Sequence, residues 1–238
     1  LVGIAIIAFF AIIAILAPVL APPGHRTQGG DPFKIPHEGA SMIPKPPSLK
    51  FPFGTTRTQY DLYYGCIWGT ISAFRVGIWV TFTALIIGLA IGILAGYYGG
   101  IIDEIMMRFT DIILAFPGLI LAMAFATILP SMNIRIPLLF PEGITRVDAV
   151  LLALVLVGWP GYTRVIRGEV LRVKTEDYIE AAKAVGCSDF RVILKHIVPN
   201  AIYPILIIAS LDIGSIVLTV AALSFLGLGP PEGYADWG

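Results

Sequence analysis

Apolar runs alternate with polar segments along the whole chain, and the runs predict the elements. Leu1 to Leu20 is uninterrupted for about twenty residues, enough to cross a hydrocarbon core of about 30 Å. Val76 to Tyr98 carries no charge for about 23 residues and predicts a second span. Ile112 to about Leu129 predicts a third, with Pro117 in its first turns, where a missing N–H and a ring clash bend a helix. Ala149 to Thr163 offers only about 15 uncharged residues, so this span needs to run on to about Ile166 with Arg164 snorkelling to the interface. Trp159 and Tyr162 would then mark the headgroup level. Ala201 to Leu228 predicts a fifth span.

The polar segments differ in kind. Residues 21–75 open on Pro, Gly and Lys, and the pairs Pro22-Pro23 and Pro46-Pro47 exclude long helices, which predicts an extended loop too polar to bury. Gly99 to Asp111 reads as a short link holding Asp103, Glu104, Arg108 and Asp111. Its spacing suits local pairs, Glu104 with Arg108 at i,i+4 and Arg108 with Asp111 at i,i+3, better than a carboxylate site. Pro130 to Asp148 predicts another loop. Arg164 to Asn200 is a polar island holding seven of the 16 Lys and Arg residues. Within it Thr175 is the expected cap of a short helix with Glu176 and Asp177 in its first turn, and Gly186 is expected to close it. Tyr178, Ala181, Ala182 and Val185 fall at i, i+3, i+4 and i+7, a narrow apolar face of mostly small residues. Ser188 is placed to cap a second helix running to about His196, and Pro199 to break it before Ala201.

Composition agrees with these spans. The chain is 57% hydrophobic and only 13% charged, with a mean hydropathy of +0.85, against about 25% charged for ordinary soluble domains. The expected class is an all-α polytopic membrane protein with about five readable spans. Net charge is zero, so no basic surface points to nucleic acid. Cys66 and Cys187 fall in segments assigned to opposite membrane faces, so they are not expected to pair, and neither sits in a metal-like cluster. The chain begins without Met and ends at Trp237-Gly238 in what reads as a loop, which suggests a trimmed chain. Leu1 to Leu20 lacks a basic leader and a small-residue cleavage site, so it reads as a retained helix, not a signal peptide.

Two features inside the spans are candidates for a role. Gly88, Gly92 and Gly96 recur every fourth residue and make a smooth stripe for close helix packing, within the bundle or against a partner subunit. Asp212 is the acid nearest a bilayer midplane. Such a group is a candidate intramembrane polar site, and the competing reading is a hydrogen-bonded packing residue facing Ser or Thr. An intramembrane enzyme would need paired acids, a Ser/Lys pair or a His cluster. The spans offer only Asp212, and His25, His37 and His196 all lie in polar segments. An ion-coupled secondary transporter is the alternative to the reading that follows.

Glu180-Ala181-Ala182, Gly186 and then Pro199 thirteen positions on resemble the EAA loop of the membrane subunits of ATP-binding cassette importers. The fuller run to Asn200, with His196, is most similar to the peptide and nickel branch, although Val198 replaces the usual Leu. The Arg, Thr and Asp of the 99–111 link followed by Ala115-Phe116-Pro117 resemble the same branch, as does Ala221 to Gly229, where Val220 stands at an often acidic position. Gly54 to Gly69 is a partial match, with Thr56, Gln59 and Tyr60 where Asp, Gly and Arg are usual. The resemblance implies the second (C-type) permease of such a system, with a type I ABC importer permease fold and a sixth span beyond the chain's last residue. It implies a first transmembrane helix at 1–20, an extracytoplasmic loop at 21–75 and a permease core at 76–238. The core would carry the cytoplasmic coupling loop at 164–200, an orientation that the basic island also favours. Glu180, Ala181, Ala182, Gly186 and Pro199 would be the ATPase-coupling residues. The implied partners are a homologous permease forming a heterodimer, two cytoplasmic ABC ATPase subunits that carry ATP and Mg²⁺, an extracytoplasmic solute-binding protein, and the lipid of the cytoplasmic membrane. The chain has no phosphate-binding loop, so it is expected to bind no cofactor and hydrolyse nothing itself. The branch moves di- and oligopeptides, nickel and, in some members, oligosaccharides.

Overall fold

The apolar runs fold as helices in the computed structural model, which describes residues 1–23, 30–39, 43–132, 135 and 143–237. His25 and residues 133, 134 and 136–142 of the segment expected to form the 130–148 loop lie outside them. In chain order the helices are α1 (Val2–Leu20), α2 (Leu62–Tyr98), α3 (Gly100–Leu114), α4 (Gly118–Ser131), α5 (Arg146–Lys174), α6 (Asp177–Ala184), α7 (Asp189–Val192), a π-helical turn (Ile193–Ile197), α8 (Val198–Ala201) and α9 (Tyr203–Phe225). Four are long and apolar enough to cross a membrane, and α3 with α4 makes a fifth when the bent pair is taken as one span.

Three boundaries differ from the sequence reading. Helix α2 begins at Leu62, within the segment expected to be loop, because the Asp61 carboxylate accepts the N–H groups of Tyr63 (2.9 Å) and Tyr64 (3.3 Å) and so caps the first turn. At 37 residues it is about 55 Å long, well beyond the hydrocarbon thickness, so part of it stands in water. The 99–111 link is not a link but most of α3. Pro117 does not bend one helix from within: it is the N-cap of α4, and α3 and α4 meet there at 89°. Proline disfavours helical geometry in the residue before it and lacks the N–H that would continue the ladder.

The chain divides into two compact units, Leu1–Val76 with Val220–Gly238, and Gly77–Thr219. In the first, the segment expected to be too polar to bury folds into a small cap. The Trp68 indole N–H donates to the Ala21 carbonyl (2.8 Å) and the Tyr64 hydroxyl to that of Pro32 (2.8 Å). Phe33 packs edge-on to Trp68 and stacks on Tyr234. Burial pushes the Tyr234 phenol above its ordinary pKa. Backbone bonds from Ile35 N–H to the Gly233 carbonyl (2.8 Å) and from Ala235 N–H to that of Phe33 (2.7 Å) join the loop after α1 to the tail after α9.

In the second unit α2, α3, α4 and α8 all pack on α5. Helix α5 opens with a capping box, in which Thr145 and Asp148 satisfy each other's backbone N–H groups. Its contact with α2 is the glycine stripe. A Cβ on Gly88 would lie 2.6 Å from Tyr162 Cβ, one on Gly92 2.8 Å from the Thr163 carbonyl oxygen, and one on Gly96 2.9 Å from Val170 Cβ. The stripe is thus filled by this chain's own helix, the first of the two readings offered for it. Trp159 and Tyr162 are buried by the same packing and stack or bond inside the bundle, so they do not mark the headgroup level.

Charge clamps α3 to α5. The Arg167 guanidinium bonds both carboxylate oxygens of Asp103, each at 2.5 Å, in the fork geometry that suits arginine. Asp111 takes Arg164 at 2.6 Å, so Arg164 ends in an ion pair where lone snorkelling was expected. The expected Glu104–Arg108 pair is present at 3.1 Å, while Asp111 bonds across helices to Arg164 in place of the local pair with Arg108.

Two substitutions test this packing. Gly92→Ala should cost about 1–3 kcal/mol, the range for overpacking, and Gly92→Leu should prevent the helices from seating. Thermal unfolding in detergent reads both. Arg167→Asp should lower the thermal midpoint, and combining it with Asp103→Arg should recover most of the loss.

Candidate functional site

The polar island folds into a helical hairpin whose turns follow from its residues. Thr175 does not cap α6. Its hydroxyl donates to the Arg172 carbonyl (2.8 Å), closing α5, and Glu176 takes the extended conformation that starts α6. At the far end Gly186 has φ +84°, its N–H bonds the Lys183 carbonyl (2.9 Å), and the Cys187 N–H bonds that of Ala182 (3.1 Å). This is a Schellman turn, which needs a residue free to adopt the left-handed region. Ser188 occupies the expected N-cap position of α7, but its side chain makes no capping hydrogen bond. The break expected at Pro199 does not occur: Pro199 lies inside α8, and Ile202 keeps helical dihedrals (φ −77°, ψ −26°) between α8 and α9. A π turn precedes the proline, with the Val198 N–H bonding the Ile193 carbonyl, and the wider coil accommodates a residue with no N–H of its own.

The hairpin has two unlike faces. Ile179, Ala182, Val192 and Ile197 are buried together with Ile166, Val170 and Tyr97. The opposite face carries Tyr178, Ala181, Val185, Phe190 and Leu194, with Val185 82% and Phe190 73% exposed, among Glu180, Lys183, Arg191 and Lys195. The expected narrow face is therefore split. Tyr178, Ala181 and Val185 look outward, whereas Ala182, at 8% exposed, turns into the core. Five exposed apolar side chains on so charged a segment make this face a candidate contact surface.

Helix α2 reaches the hairpin through Tyr97. Its hydroxyl donates to Asp189 Oδ1 at 2.6 Å, its carbonyl accepts from Lys174 Nζ, and the ammoniums of Lys174 and Lys183 lie 5.6 and 5.2 Å from its ring centre. Sequence reasoning missed this residue. Tyr97 and Asp189 are 92 positions apart, and no local periodicity links them.

Asp212, on α9, accepts the Tyr162 hydroxyl at 2.7 Å. Its partner is a tyrosine, where Ser or Thr was expected. Tyr162 packs directly on Gly88 of α2 while its phenol reaches Asp212. Gly77 lets α9 approach α2 nearby, a Cβ there falling 2.8 Å from the Ile213 carbonyl oxygen. Cys66 and Cys187 are both free thiols. Among the described residues no three His, Cys, Asp or Glu converge as metal ligands.

Residues 88–237, the glycine stripe, the hairpin and the last span included, match the family described as binding-protein-dependent transport system inner membrane component. The whole chain is 35% identical to 70% of a dipeptide transport system permease protein of Alkalihalophilus pseudofirmus and 32% identical to 70% of an oligopeptide transport system permease protein of Bacillus subtilis. It is 38% identical, over 81% of its length and 60% of the relative's, to a probable D,D-dipeptide transport system permease protein of Escherichia coli. A crystal structure of an amino acid ABC transporter with histidines superposes with a TM-score of 0.51 over 72% of this chain and 73% of the other, at 19% identity, which supports the fold alone. With its spans, its hairpin and these relatives together, the chain belongs to the binding-protein-dependent inner membrane components and is a multi-pass permease subunit of an ABC importer in the cell membrane.

Proposed function

We propose that this subunit moves di- or oligopeptides, or a closely related solute, inward across the cytoplasmic membrane. Support for the substrate class comes from its relatives, named for dipeptide and oligopeptide transport. It would act beside a homologous permease in a heterodimer, with two ATPase subunits at the cytoplasmic face and a solute-binding protein outside. ATP and Mg²⁺ would bind the ATPase subunits, where hydrolysis takes place. Family membership leaves the ion-coupled carrier without support.

On this reading the hairpin is the cytoplasmic coupling loop, and one observation carries the assignment: an apolar patch at Tyr178, Ala181, Val185, Phe190 and Leu194 stands in water while the reverse face is locked into the chain's own core. The small Ala181 lets a foreign surface come close, and the exposed Glu180 offers a charge to a basic partner. Ala182 serves from beneath, seating the helix, and Gly186 and Pro199 shape the turns. ATP binding would draw the ATPases together, move the docked hairpin, and shift the bundle between inward-open and outward-open states. Asp212 is assigned to helix packing, since its carboxylate is engaged by Tyr162 within the bundle.

Ala181→Trp and Glu180→Lys should each leave membrane insertion unchanged, cut co-purification of the ATPase subunits by at least about tenfold, and abolish ATP-driven dipeptide uptake into vesicles that contain the binding protein. Full co-purification with normal uptake would count against the docking role.

A further inference from the structure

The hairpin is joined to the bundle covalently at two places, and they differ. The path into α9 stays helical: Ile202 has φ −77° and ψ −26°, its N–H donates to the Val198 carbonyl (3.1 Å), and its carbonyl accepts from Leu206 (3.0 Å). The path from α5 does not, because Thr175 and Glu176 interrupt it and Glu176 is extended. A joint of this kind bends, and a push on the hairpin would be partly absorbed there unless something else fixed its angle.

The Tyr97 contacts supply that third point. Helix α2 has no chain connection to the hairpin, yet it is seated on α5 through Gly88, Gly92 and Gly96, and its last turn reaches Asp189 at the start of α7. The triangle is closed by three sides of different chemistry: glycine packing between α2 and α5, the chain itself from α5 into α6, and the hydrogen bond from α7 back to α2. Tyr97 is 5% exposed, so its ring is fixed by packing, and its hydroxyl donates to a carboxylate, a stronger acceptor than a neutral group. Lys174 and Lys183 hold the ring from both flanks of the joint, one on α5 and one on α6.

We propose that Tyr97 is a positioning residue that makes the hairpin joint stiff, so that movement imposed on the hairpin reaches the spans and is not lost as bending at Thr175–Glu176. This rests on the docking role proposed above, because a stiff joint matters only if a partner drives the hairpin. Tyr97 touches neither solute nor nucleotide on this account. Its contribution is to the amount of transport obtained for each ATP consumed.

The test uses the whole complex, with both permeases, the ATPase subunits and the binding protein, reconstituted in liposomes, and measures ATP hydrolysis and dipeptide uptake on the same sample. Tyr97→Phe keeps the ring and the cation contacts and removes only the hydroxyl. It should assemble normally and hydrolyse ATP within about twofold of the parent, while uptake per ATP falls about tenfold, the scale of one hydrogen bond to a charged group. Asp189→Asn, which still offers an oxygen to the hydroxyl, should keep most of the coupling, and Asp189→Leu should behave like Tyr97→Phe. Unchanged uptake per ATP in Tyr97→Phe would overturn the proposal. So would a parallel loss of hydrolysis and uptake, since that would mean the bond only maintains the docking surface. Ala181→Trp in the same assay separates the two ideas: if it binds and drives the ATPases normally, docking at this face fails, whatever Tyr97→Phe shows.

Discussion

The second structural unit depends on how closely α2 approaches α5. With no side chains at three successive i,i+4 positions of α2, its backbone lies against Tyr162, Thr163, Ile166 and Val170. Inside a membrane there is no hydrophobic driving force between helices, so contact of this kind and interhelical polar bonds are what hold a bundle together. The first glycine of the stripe faces Tyr162, which bonds Asp212 on α9, and the last lies one residue before Tyr97, which bonds the hairpin.

Around that contact, charge sets what packing alone would leave loose. Asp103 and Asp111 lie two turns apart on α3 and meet Arg167 and Arg164 on α5. The pairs fix the register of α3 before the chain turns through 89° into α4. A right-angled pair offers little shared surface between its own two helices, so both rely on α5 for support.

The hairpin is amphipathic in a particular sense. Its buried face is aliphatic and continuous with the core, and its outer face mixes five apolar side chains with charges of both signs. Buried anchors hold its shape without help from a partner, which leaves the outer face available for docking as proposed. Ala181 and Ala182 show how finely the division runs: adjacent residues, about 100° apart around the helix, have opposite surroundings.

Much of this was legible in the sequence. Four apolar runs became helices long enough to span and the fifth became part of a bent pair, the EAA pattern marked the hairpin, Gly186 closed its turn, and the glycine stripe packs on α5. These features are local, set by run length, turn chemistry and helical spacing, and a linear reading recovers them. It also erred locally where a neighbour decided the outcome: Asp61 started α2 early, and Pro117 separated two helices where a bend in one was expected. What the sequence by itself determined, then, is which runs form long apolar helices and which polar segment forms the hairpin. Tertiary structure alone decided that Asp103 pairs with Arg167, that Tyr162 serves Asp212, that Ala182 faces in and Ala181 out, and that Tyr97 holds the hairpin. Each of these partnerships joins residues with no fixed spacing along the chain, or depends on which side of a helix the packed bundle happens to cover.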